Sequence, residues 1–143
     1  MKTNRLGNSD LYASEISMGG SVPTTQSYSS TNFQEQFRDA LRAAFERGIT
    51  LFDSAEAYGN GLSETLLASA LGEVRSQVLV ATKVSYEHTH SAAIRESCIQ
   101  SLRRLNTDYI DLYYVHFPNP EVPLSETIGT MMDLKREGKI RAI

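Results

Sequence analysis

Apolar positions along the chain follow two periods. Short consecutive runs occur at residues 49–52, 78–82 and 109–115. Between them, apolar residues recur at spacings of three and four: Phe37, Leu41, Ala44 and Phe45; Leu67, Ala70 and Leu71; Ile94, Cys98, Leu102 and Leu105; Leu124, Ile128, Met131 and Leu134. Continuous runs suit strands buried on both faces, as in a parallel sheet. The three-and-four spacing marks one face of a helix. The pattern therefore predicts strands and helices in alternation. A further short strand is expected at 16–18, and the start of another at 140–143.

Local signals punctuate these elements. Gly7-Asn8-Ser9-Asp10 is a turn cluster between Leu6 and Leu11 and predicts a small amino-terminal hairpin. Residues 21–30, rich in Ser and Thr and holding Pro23, read as a loop. Thr31 with Gln34 fits a capping box at the first helix. Ser63-Glu64-Thr65 opens the second helix and Pro123 the fourth. Gly48, Gly72 and Gly138 are the expected helix stops.

The composition narrows the class. In 143 residues, 41% are hydrophobic and 22% charged, which excludes intrinsic disorder. The length suits one domain, and no linker or low-complexity tract divides it. A net charge of −3 without a basic stripe argues against nucleic acid. Cys98 is the one cysteine, so no internal disulfide forms, in keeping with a reducing compartment. No run approaches the roughly 18 apolar residues of a membrane span. The expectation is a soluble, cytoplasmic chain.

Three chemically different side chains each follow an apolar strand. Asp53, Lys83 and His116 stand at intervals of 30 and 33 residues, about the size of one βαβ step. Parallel strands joined by helices place all strand carboxyl ends on one edge, where such sheets bind ligands. Tyr58 lies in the loop leaving the first of these strands. A phenol ordinarily holds its proton to about pH 10, and a nearby ammonium favours the phenolate. A carboxylate keeps that ammonium in place, and an imidazole can hydrogen-bond a carbonyl oxygen. Tyrosine as acid, lysine as tuner, aspartate as orienter and histidine as polariser suit carbonyl reduction. The hydride must come from a nicotinamide cofactor, because no side chain supplies one. Taken singly, Asp53 would cap a turn and Lys83, His116 and Tyr58 would be ordinary loop residues; their joint placement on one edge carries the reading.

Other motifs take plainer readings. His88-Thr89-His90 offers two imidazoles without a third ligand at useful spacing, so it reads as a solvated loop and no metal is expected. Gly19-Gly20-Ser21 is too short for a dinucleotide fingerprint. Arg103-Arg104 and Lys135-Arg136 read as solvated helix faces, and Cys98 as a small buried hydrophobe.

The segments Phe52-Asp53-Ser54-Ala55-Glu56-Ala57-Tyr58-Gly59, Ala81-Thr82-Lys83 and 109–118 resemble the successive motifs of the aldo-keto reductase family. Residues 138–143 resemble the approach to that family's fifth barrel strand. The resemblance implies an α/β fold, a (β/α)8 barrel of which this chain holds about four βα units. It implies Asp53, Tyr58, Lys83 and His116 as the catalytic four and NADPH as cofactor. It also implies Gly20, Ser21 and Asp53 as contacts of the nicotinamide end, where the family more often has Thr-Trp at the first two. Phe117 stands in place of a common Trp. The implied partner is a small carbonyl substrate, and the branch resembled is that of bacterial general-stress reductases and potassium-channel β-like proteins.

Such barrels run to about 250 residues, so the expectation is the amino-terminal half of one, truncated and short of most of its cofactor grip. Strand edges left open would favour self-association. Two other expectations stand beside this: a self-assembling half-barrel, and a channel-regulatory protein with a vestigial site.

Overall fold

The computed structural model describes residues 1–22 and 30–143; the predicted Ser- and Thr-rich loop falls largely outside these. The first two strands, β1 (Thr3–Arg5) and β2 (Tyr12–Ser14), pair antiparallel, forming the expected hairpin. After them come β3 (Ser17–Gly19), α1 (Thr31–Glu46), β4 (Leu51–Asp53), α2 (Leu62–Leu71), β5 (Leu79–Val84), α3 (Ser91–Leu105), β6 (Ile110–Val115), α4 (Leu124–Arg136) and β7 (Ile140–Ala142). Strands β3 to β7 form one parallel sheet in chain order. Five parallel strands in sequence, with a helix in each of the four connections, are one side of a (β/α) barrel.

Side chains alternate between the two faces of the sheet. Phe52, Val80, Val84 and Tyr113 pack outward against Leu41, Leu67, Leu71, Ile94, Cys98, Met131 and Leu134 of the helices, forming the main core. The inward face carries Leu51, Leu79, Ala81, Leu112 and Ala142. Leu6 and Leu11 of the hairpin close over this inner face, and Leu11 is buried. Ser14 and Thr50 exchange hydrogen bonds in both directions, 3.0 and 2.9 Å, tying the hairpin to the approach to β4. Val115 belongs to the helix side, because it stands an even number of residues from Tyr113.

Several local details differ from the sequence pattern. The cap of α1 is Ser30, whose side chain accepts from the Phe33 N–H at 3.3 Å; Thr31 is already helical. Gly72 does not stop α2 in a left-handed turn. Its backbone is helical and the chain runs on as a 3-10 segment over Gly72–Gln77. Leu124 is 58% exposed and leaves the apolar face of α4 to Ile128, Met131 and Leu134. Gly48 and Gly138 do take the expected positive φ. Among the described residues, no helix is long and apolar enough to cross a membrane.

Candidate active site

Register brings the chemistry together. Asp53 ends β4 opposite Gly19 and Ala81, and Lys83 lies opposite Tyr114 in β6. Parallel pairing continues past the strand ends: Ser54 N–H donates to Ala81 O, and His116 N–H donates to Val84 O at 3.0 Å. Asp53 and Lys83 therefore rise from neighbouring strands on one edge, and His116 follows on the next.

Lys83 Nζ donates to Asp53 Oδ2 at 2.6 Å and to the Ser54 carbonyl at 2.7 Å. The same ammonium stands 4.9 Å from the centre of the Tyr58 ring. Lys83 is largely buried, so its charge is fixed close to the phenol rather than dispersed in water. The Tyr58 and His116 rings meet edge to face, 5.6 Å apart. Phe117 stacks on the other side of the imidazole at 4.7 Å while remaining exposed. All four residues expected from the motifs thus share one site.

The loop that presents Tyr58 explains its own sequence. Gly59, Asn60 and Gly61 all have positive φ, at 61°, 52° and 87°. Gly and Asn are the residues that tolerate this region. The turn folds the chain back so that the Ser63 N–H donates to the Tyr58 carbonyl at 3.2 Å. Ser63 also donates through Oγ to Gly20 O at 2.6 Å and meets Ser54 Oγ at 2.8 Å.

Gly20 is buried; its N–H donates to Asp53 O at 2.7 Å, and a Cβ there would collide with that oxygen and with Ser63 Oγ. Both of its backbone polar groups thus serve the fold. Ser21, one residue on, is exposed, and Asp53 keeps about a third of its side-chain surface open. These two can meet a cofactor end; Gly20 allows the close approach of β3 to β4.

Sequence reasoning missed a set of buried supports. Arg104, read as solvated, instead turns inward and donates through Nε to Glu64 Oε2 at 2.5 Å; Arg103 does stay exposed. Glu64 is fully buried and also accepts from Thr82 Oγ1 at 2.6 Å. Glu56 accepts from Ser85 N–H at 2.6 Å and contacts His88 Nδ1 at 2.9 Å. Burial alone would raise the Glu56 pKa, but these bonds outweigh it and hold the carboxyl below its ordinary value. Glu64 stands in the first turn of α2, but its carboxylate is bonded across to β5 and α3, a pairing that no local pattern announces.

His116 titrates below the ordinary 6.5, first because burial disfavours its cation and second because the Lys83 ammonium repels it. It is therefore a neutral hydrogen-bonding imidazole at pH 7. The expected result in an NMR titration is a His116 midpoint below 6.5, rising in Lys83→Met, which removes the repelling charge and leaves Asp53 unpaired nearby. A midpoint unmoved or lowered by that substitution would contradict the placement.

The model of the aldo/keto reductase family matches residues 15–143. The chain belongs to this family. The aldo-keto reductase YhdN of Bacillus subtilis is 39% identical over 153 aligned residues, which take in 100% of this chain and 46% of that protein. A thermostable aldo-keto reductase, Tm1743, solved with the inhibitor epalrestat, superposes with a TM-score of 0.88 at 32% identity, covering 99% of this chain and 52% of that one. An aldo-keto reductase from Klebsiella pneumoniae, solved with NADPH, gives 0.83 at 35% identity, covering 91% and 44%. The chain thus spans about half the length of these family members. The five strands and four helices are a partial barrel of the family fold.

Proposed function

We propose that this chain carries the catalytic wall of an NADPH-dependent reductase that turns aldehydes or ketones into alcohols. The observation that carries the reading is Lys83, held by Asp53 at 2.6 Å and set 4.9 Å from the Tyr58 ring, with His116 facing the same phenol. When bound, reduced nicotinamide supplies the hydride. Exposed Ser21 and the open side of Asp53 would hold its near end. Tyr58 Oη holds the proton that the carbonyl oxygen must receive as it becomes an alcohol. Lys83 stabilises the phenolate left behind. Neutral His116 donates a hydrogen bond to the carbonyl oxygen and so orients it. Asp53 holds the Lys83 ammonium aimed at the phenol. The test is aldehyde-dependent loss of NADPH absorbance; its absence across small aldehydes and ketones would overturn the reading.

We further propose that residues 1–143 are the amino-terminal half of a closed eight-stranded barrel. Among the described residues, β3 and β7 each pair on one side only. A barrel fills its interior with layers from strands all round the ring, and these five strands supply only part of each layer. Leu51 and Leu79 keep part of their surface open, at about 1.5–3 kcal/mol per large apolar group left in water. The 143-residue chain by itself is therefore expected to self-associate or pack loosely and to bind NADPH weakly. Sedimentation with NADPH titration checks this. A monodisperse monomer that unfolds cooperatively and binds NADPH at micromolar concentration would overturn it.

A further inference from the structure

The residues beneath Tyr58 and Lys83 form a closed circuit. Starting at Tyr58, its carbonyl accepts from the Ser63 N–H at 3.2 Å. Ser63 is bonded to Glu64, whose Oε1 accepts from Thr82 Oγ1 at 2.6 Å. Thr82 is bonded to Lys83, and the Lys83 ammonium returns to the Tyr58 ring at 4.9 Å. Within this circuit, the Glu64–Thr82 hydrogen bond is the side-chain bond that ties α2 to the strand carrying Lys83. Both residues are fully buried.

Arg104 clamps that link from behind. It donates through Nε to Glu64 Oε2 at 2.5 Å and through Nη2 to Ser101 Oγ at 3.3 Å. Its side chain also lies directly over Gly61, where an added Cβ would fall on Arg104 Cδ. Gly61 ends the left-handed loop that presents Tyr58 and stands just before α2. A single guanidinium therefore supports the foot of the Tyr58 loop and fixes the carboxylate that grips the strand of Lys83. A buried carboxylate with two charge-assisted bonds is held in one geometry, since losing either bond leaves it unsatisfied.

We propose that Glu64, Arg104 and Thr82 are positioning residues for the reductase site, setting the spacing between the Lys83 ammonium and the Tyr58 phenol. None of them touches the reacting atoms. This rests on the reading of Tyr58 and Lys83 as acid and tuner. Proton transfer is steep in distance and alignment, so a loosened circuit lowers turnover more than substrate affinity.

The test compares Thr82→Val, which deletes the hydroxyl at nearly constant volume, with Thr82→Ser, which keeps it, in the closed barrel. Thr82→Val is expected to lower kcat about tenfold per folded molecule with KM for the carbonyl nearly unchanged, while Thr82→Ser stays close to the parent. Because the Tyr58 and His116 rings are in edge contact, the His116 ring C–H resonances report Tyr58 placement without any turnover. They should move in Thr82→Val and return in Thr82→Ser. If Thr82→Val does not fold, Arg104→Lys, which keeps the charge but loses the planar fork, is read in the same way. A fall in Tm with unchanged kcat per folded molecule and unmoved His116 resonances would overturn the proposal. If the parent protein reduces no carbonyl, the functional reading fails, and the resonances alone still decide the positioning role.

Discussion

Replacing Tyr58 by Phe is expected to lower kcat for carbonyl reduction by about 10²–10⁴-fold, the range in which a positioned general acid contributes. The change removes one oxygen and keeps the ring, so the edge contact with His116 and the ring face beside Lys83 both survive. NADPH affinity should therefore stay near that of the parent, because the phenol proton is used only as the carbonyl oxygen gains charge. Steady-state kinetics paired with a direct cofactor titration separate the two. Turnover retained within about tenfold would remove Tyr58 from the role of acid. An equal loss in NADPH binding would recast it as a binding residue.

The largest stability effect is expected far from that edge, at Asp111. Its carboxylate is fully buried in β6 and takes hydrogen bonds from three directions. Arg75 Nη2 reaches Oδ2 at 2.8 Å, Arg141 Nη1 reaches Oδ1 at 2.8 Å, and the Val80 N–H donates at 3.0 Å. Arg75 also donates to the Val78 and Tyr109 carbonyls and lies 4.3 Å over the Tyr109 ring. One side chain thus ties β5, β6 and β7 together at their amino-terminal ends. Asp111→Ala removes the buried carboxylate from Arg75 and leaves Arg141 only the exposed Asp10, 3.9 Å away. Removing one partner of such a buried set costs about 3–5 kcal/mol, against a whole stability of roughly 5–15 kcal/mol. Urea denaturation of the closed barrel measures it. Arg141→Met should cost less, since that guanidinium is 39% exposed and its charge is partly screened. A loss at Asp111 no greater than that at Arg141 would show that the set does not act as a buried charge centre.

What the sequence reveals and what it hides divide along physical lines. Strand ends were legible because apolar runs stop abruptly at Asp53, Lys83 and His116, and the parallel register then carries those residues to one edge. The Tyr58 loop was legible as the segment leaving the strand that ends at Asp53, whereas the positive φ at Gly59, Asn60 and Gly61 emerges only in the structure. Arg104 was not, since a helical arginine looks solvated until its neighbours across α2 and β5 are known. Its partner Glu64 stands 40 residues away in the chain, and no local period links the two. The same holds for Asp111: a single carboxylate inside an apolar strand declares that it must be paired, but its partners Arg75 and Arg141 lie on other segments. Capping was misread by one residue because Ser30 and Thr31 are equivalent by composition, and only backbone geometry separates them.

The hairpin that closes the inner face has a consequence for the order in which a ribosome delivers this fold. Leu11 is made before the strands of the main sheet, yet its seat includes Ala81, Leu112 and Ala142. Ala142 is added 131 residues after Leu11 (142 − 11). At 5–20 residues per second that is roughly ten seconds of translation. Through that interval the hairpin has its turn but not its floor, while each βα unit emerges and adds to the growing sheet. The hairpin leaves the exit tunnel ahead of the sheet yet is among the last elements to reach its final packing, and its two strands must stay soluble until the sheet arrives.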